Sequence, residues 1–162
     1  MEMSYSQIIG TIGKVASVAY LTTGSKISIS HMNITDLAAP TNCKYDNTGV
    51  IVGQLASLIR ISDSVLSNND CSYVYSDRTP VEIESTTFTD GLRSPYVNMV
   101  GSALLIQDSV FTNATVDKFV DGRGVKCIGC TQISITDSHF ENMSSQKGGA
   151  LYIDKSNQGQ IY

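Results

Sequence analysis

The chain has 162 residues, 41% of them apolar, enough for one sizeable core. Its 11 basic and 15 acidic side chains give a net charge of −4, without the basic footprint that nucleic acid or an anionic membrane surface demands. No stretch approaches the roughly 20 apolar residues of a membrane-spanning helix; residues 50–59 come closest and contain Gln54 and Ser57.

The N-terminus shows no recognisable secretion signal, since Met1-Glu2-Met3 is without positive charge and Lys14 breaks the apolar stretch that follows. Ser4 to Leu21 is dense in apolar residues but interrupted by Gly10 and Gly13, so strand and loop are expected there rather than helix. Residues 1–26 are read as an N-terminal coil or cap.

Residues 27–162 are organised by a ten-residue phrase. It begins at Ile27 (ISISHMNITD), Ile59 (IRISDSVLSN), Val81 (VEIESTTFTD), Leu104 (LLIQDSVFTN) and Ile133 (ISITDSHFEN), at intervals of 32, 22, 23 and 29 residues. Such intervals mark a supersecondary unit that stacks on its own copies, a solenoid. The first place is aliphatic throughout, the third is Ile in every copy (Ile29, Ile61, Ile83, Ile106, Ile135), and the eighth is Ile34, Leu66, Phe88, Phe111 and Phe140. Alternation at this period predicts strands, with places one and three sharing a buried face and places six, eight and ten sharing another beyond a corner.

The tenth place holds Asp36, Asn68, Asp90, Asn113 and Asn142. These side chains tolerate the left-handed conformation of a bend, and in stacked coils they should form a ladder. The sixth place is small and hydroxylated in four copies (Ser64, Thr86, Ser109, Ser138), with Met32 the exception. At the fifth, Asp63, Asp108 and Asp137 suit a corner, and His31 and Ser85 fill the other copies. Between phrases a second strand is expected near Val50 to Val52, Tyr73 to Tyr75, Val125 to Ile128 and Gly148 to Ile153, with Gly101-Ser102-Ala103 a weaker echo of the last.

Two insertions lengthen coils, Leu37 to Thr48 and Thr115 to Arg123. Loops on a rigid scaffold are where binding usually lives, so Tyr45, Lys118 and Phe119 are the candidates for partner contact. Gly159 to Tyr162 reads as the opening of a sixth phrase at Ile161, which makes the chain a segment of a longer solenoid. As a segment it is placed outside the cell or on its surface; were Met1 and Tyr162 true termini, the cytosol would follow.

Cys43, Cys71, Cys127 and Cys130 are an even set. The Cys127-Ile128-Gly129-Cys130 motif can be a redox dithiol, half of a zinc site or a local disulfide; the wide separation of the other two cysteines favours the disulfide. Sequons at Asn33, Asn113 and Asn142 suggest N-glycosylation, with Asn33 alone at an outward place. His31 and His139 stand at different places of the phrase and do not stack as metal ligands, and of the fifth-place aspartates only Asp108 and Asp137 belong to consecutive phrases, so no metal and no cofactor is expected.

The phrases, the tenth-place Asp/Asn row and the GGALYI run at Gly148 to Ile153 following Phe140-Glu141-Asn142 resemble the right-handed parallel β-helix of the pectin-lyase-like superfamily. They are similar to the GGA and F-x-x-N repeats of polymorphic bacterial outer-membrane proteins and of large protist surface proteins, although Phe140 precedes Asn142 by two places rather than three. The resemblance implies an all-β solenoid over residues 27–162, about 22 residues per coil. Three kinds of task are compatible with such a coil. A non-enzymatic structural or interaction scaffold at the cell surface, with protein partners, further coils of the same chain or glycans, is the leading expectation. A polysaccharide lyase or hydrolase, with a site partly outside this segment, is the alternative, but compact Asp-Asp, Gly-His-Gly and Arg-x-Lys signatures are absent from the sequence. A carbohydrate-binding module is a third, weakened by the lack of Trp and the dispersal of Tyr.

Overall fold

A computed structural model describes residues 1–4, 7–9, 16–36, 48–92, 94–114, 121–156 and 159–161. The described residues contain strands and turns and no helix. In chain order the first strands are β1 (Glu2–Ser4), β2 (Gln7–Ile9), β3 (Ala16–Leu21), β4 (Lys26–Ser30), β5 (Asn33–Thr35) and β6 (Gly49–Gln54). Next come β7 (Leu58–Ser62), β8 (Val65–Ser67), β9 (Ser72–Asp77), β10 (Val81–Glu84), β11 (Thr87–Thr89) and β12 (Val97–Val100). The remainder are β13 (Ala103–Gln107), β14 (Val110–Ala114), β15 (Val125–Ile128), β16 (Gln132–Thr136), β17 (His139–Met143), β18 (Leu151–Asp154) and β19 (Gly159–Ile161).

Every third strand joins the same sheet. The first sheet runs β1-β4-β7-β10-β13-β16-β19, the second β17-β14-β11-β8-β5-β2 and the third β18-β15-β12-β9-β6-β3. The pairings between successive coils are parallel, which makes the molecule a parallel β-solenoid. Within each phrase, places one to four lie on the first sheet and places seven to nine on the second. The strands β1, β2 and β3 pair with β4, β5 and β6 as one more coil.

The strands are short because the backbone turns left-handed at three corners per coil. Fifth-place His31, Asp63, Ser85, Asp108 and Asp137 have φ of 46–54°, and tenth-place Asp36, Asn68, Asp90, Asn113 and Asn142 have φ of 52–58°. Leu55, Arg78, Gly101, Gly129 and Lys155 form the third corner, at φ of 51–64°. Asp and Asn accept this conformation readily, whereas Leu55, Arg78 and Lys155 carry a cost of about 1–2 kcal/mol each. The corner N–H groups offset part of it by continuing the ladder. Asp63 N donates to Glu84 O at 3.1 Å, Arg78 N to Val100 O at 2.8 Å and Gly129 N to Asp154 O at 2.7 Å.

The core is a set of columns. In register, Ile29 pairs with Ile61, Ile61 with Ile83, Ile83 with Ile106 and Ile106 with Ile135, and none is more than 1% exposed. First-place Ile27, Ile59, Val81, Leu104 and Ile133 form the adjoining column, equally dry. At the eighth place Phe88 and Phe111 stack at 4.8 Å and Phe111 and Phe140 at 4.6 Å, with rings within 9° of parallel. The third sheet supplies Ile51, Val74, Val97 and Val125 from the opposite side. Its strands β6 and β9 are buried on both faces, including Val52 and Tyr75.

Three expectations need correction. The tenth place does not share the inward face of places six and eight: its left-handed φ breaks the two-residue alternation, and all five side chains are exposed. The sixth phrase opens at Gly159, because register sets Ile161 opposite third-place Ile135 rather than first-place Ile133. In the Gly101-Ser102-Ala103 echo of the glycine motif, Gly101 is a corner that follows the strand Val97–Val100. The GGALYI run also divides. Gly148 is left-handed at φ 59°, and only Leu151 onward is strand.

A Cβ on Gly148 would stand 2.0 Å from the Leu151 carbonyl oxygen, whereas one on Gly129, at nearly the same φ, meets nothing within 4 Å. Gly129→Ala should therefore cost only the conformational penalty of about 1–2 kcal/mol, and Gly148→Ala clearly more, measured as the shift in urea midpoint of the two variants. Removing one link of the isoleucine column, Ile83→Ala, should cost about 2–5 kcal/mol in the same measurement.

Candidate functional site

The hydroxyls of the sixth place bind coil to coil. Ser64, Thr86, Ser109 and Ser138 each donate to the fourth-place carbonyl of their own phrase, at 2.6–2.8 Å. Three of these oxygens also accept from the sixth-place N–H one coil earlier: Met32 N to Ser64 Oγ at 3.1 Å, Thr86 N to Ser109 Oγ at 3.2 Å and Ser109 N to Ser138 Oγ at 3.2 Å. A small side chain with one donor and two acceptor sites is what this buried position needs. Thr79, past the third corner, repeats the device by accepting from Ala56 N at 3.0 Å.

The tenth-place residues meet outside the coil. Asn68 Nδ2 donates to Asp36 Oδ1, and Asn142 Nδ2 to Asn113 Oδ1 at 3.2 Å. Behind this corner two buried phenols cross to the next coil. Tyr73 donates to Thr89 O, which also accepts from Asn68 N, and Tyr96 donates to Thr112 O while accepting from Gly91 N at 3.0 Å. Burial pushes the Tyr73 phenol far up, with neighbouring Tyr96 adding to the effect, and burial pushes Tyr96 up to about 12.

The remaining predicted residues are dispersed. Cys127 and Cys130 are joined in a disulfide with Cα atoms 5.9 Å apart, and Cys71 is also disulfide-bonded. Cys43, Tyr45, Lys118 and Phe119 lie outside the described residues. His31 Nε2 lies 4.0 Å from Asp63 Oδ2, and His139 Nε2 lies 3.4 Å from Glu141 Oε2, on exposed ground. Among the described residues no group of three His, Cys, Asp or Glu could hold a metal ion.

A concave site forms instead on the outer face of the first sheet, from second- and fourth-place residues. Arg60, Glu82, Glu84, Leu105 and Gln107 line a cavity of about 300 Å³. A second of about 220 Å³ adjoins it, sharing Glu82 and Leu105 and reaching Pro80, Ala103 and Ser134. Arg60 Nε donates to Glu82 Oε2 at 2.7 Å across adjacent coils, and Arg60 Nη2 reaches the same oxygen. Glu84, two residues from Glu82 on the same strand face, is about 6.6 Å further along and exposed. Leu105 is 41% exposed, an apolar step between the charged pair and Gln107. The arrangement offers one carboxylate committed to a guanidinium, a second open to solvent, an amide and an apolar platform. Sequence reasoning passed over these residues. Their signal was the second place, where Leu105 is the one apolar side chain among Ser28, Arg60, Glu82 and Ser134.

No family model, no curated protein and no solved structure matches the chain. No helix of the described residues is long and apolar enough to cross a membrane.

Ser109→Ala removes both the donor to Gln107 O and the acceptor for Thr86 N. It should cost about 1–3 kcal/mol by chemical denaturation, with Ser109→Thr restoring most of it. A phenol whose folded value exceeds its unfolded value near 10 contributes fully below about pH 10 and loses that contribution as pH rises through the folded value. Stability should therefore fall above about pH 10, and ultraviolet titration should find Tyr73 and Tyr96 ionising only as the coil opens.

Proposed function

We propose that the chain is a structural and interaction segment of a secreted or cell-surface protein, built as a right-handed parallel β-helix of the pectin-lyase-like kind. The observation that carries this reading is the use to which the recurrent polar residues are put. Sixth-place hydroxyls tie one coil to the next, tenth-place amides and carboxylates pair along a corner, and fifth-place aspartates occupy left-handed turns. They are spent on maintaining the rod rather than gathered around one reacting atom. The rod then offers its first-sheet face, with Leu105 and the Arg60–Glu82 pair, as the lateral surface for a partner.

A second reading, polysaccharide cleavage, draws on one specific observation: Glu82 and Glu84 line the same cavity on the same strand face. Two carboxylates on one surface are the elements that glycoside hydrolysis uses. Commitment of Glu82 to Arg60 weighs against it, because a general acid or base must be within reach of substrate.

Incubating the protein with acidic and neutral polysaccharides and following new chain ends separates the two. The scaffold reading expects no turnover, whether or not a glycan binds. Turnover that disappears in Glu84→Gln, a variant whose fold should be unaffected, would overturn it.

A further inference from the structure

The three sequons occupy two different environments, and we propose that Asn33 is the N-glycan acceptor of this chain while Asn113 and Asn142 remain bare amides. The inference rests on the reading that the protein is exported. Asn33 opens β5 on the outer face of the second sheet and is exposed. Thr35, the hydroxyl residue of its sequon, lies two residues on in extended backbone and therefore on the same face. The neighbour of Asn33 in register is Val65, an apolar side chain left 42% exposed on that outer face. A strand spacing of about 4.8 Å places Val65 directly beneath the first sugar, whose C–H face would cover it.

Asn113 and Asn142 are exposed as well, but differ in backbone conformation and in partner. Each sits at a left-handed corner, with φ of 58° and 53°, and Asn142 Nδ2 donates to Asn113 Oδ1 at 3.2 Å. A sugar on Asn142 Nδ2 would enter the step of about 4.8 Å between stacked corners and crowd the Asn113 amide that it faces. Modification takes place before the coils close, so a chain carrying sugar at this step would have to fold without the Asn142–Asn113 contact, and the folded, secreted population is expected to be bare there. In the transfer itself, Asn33 Nδ2 attacks the anomeric carbon of a lipid-linked oligosaccharide diphosphate. The N–C bond forms, the C–O bond to the diphosphate breaks, and the amide gives up one proton to base.

The test is to secrete the chain behind a signal sequence from a eukaryotic host and to map glycopeptides in the folded product. One glycan at Asn33 is expected. Asn33→Gln should secrete at the mass of the bare polypeptide. Thr115→Ala and Ser144→Ala remove the other two sequons without touching the ladder amides, and should leave the mass increment unchanged. Enzymatic removal of the glycan should lower the melting temperature of the parent, and by less in Val65→Ser. Secreted, folded protein bare at Asn33, or carrying sugar equally at Asn113 or Asn142, would overturn the inference. Export is tested separately by fractionating the native source: protein confined to the cytosol would reject export while leaving the recombinant result for Asn33 standing.

Discussion

Parallel pairing between equivalent residues of successive coils is the constraint from which the other features follow. Once Ile29, Ile61, Ile83, Ile106 and Ile135 are held in register, each phrase must repeat the same direction of travel, and every side chain faces its own counterpart about 4.8 Å away. Like must then tolerate like. Apolar residues do so by packing, aromatic rings by stacking, and hydroxyls because they donate and accept at once. Stacked charges do not, and the outer face of the first sheet answers with the Arg60–Glu82 pair rather than two acids in line.

The corners set the cross-section. A left-handed residue redirects the chain in a single step, so strands of three to six residues suffice and the interior remains narrow enough for side chains to fill. The corner N–H groups donate to the next coil, so the ladder loses little at each bend. Tyr73 and Tyr96 add a tie from inside, closing on carbonyls immediately before the tenth-place corner. A bend that would otherwise strain the backbone thus becomes a place where adjacent coils are joined by both main chain and side chain.

Most of the architecture was legible because the phrase is short and its buried places are chemically uniform. Third-place Ile and eighth-place Phe announce their faces without help from the rest of the chain. Tenth-place Asp and Asn announced the bend but not its direction, since a residue type that tolerates positive φ does not say which way its own side chain will leave. The third strand of each coil was harder. Ser72–Asp77 and Gly49–Gln54 are buried on both faces and carry no alternation to read. The face around Leu105 escaped notice for the opposite reason: it depends on differences between copies, and averaging over the repeat removes them.

Those differences have a consequence for assembly. If every coil were identical, pairing displaced by one whole turn would be as favourable as the native one, and two chains could exchange coils freely. The eighth place breaks that equivalence, with aliphatic Ile34 and Leu66 at one end and Phe88, Phe111 and Phe140 at the other. A displaced chain would set a branched aliphatic against a ring and open a gap in the stack. Unequal residues at one interior position thereby give each turn an address, and with it a single partner.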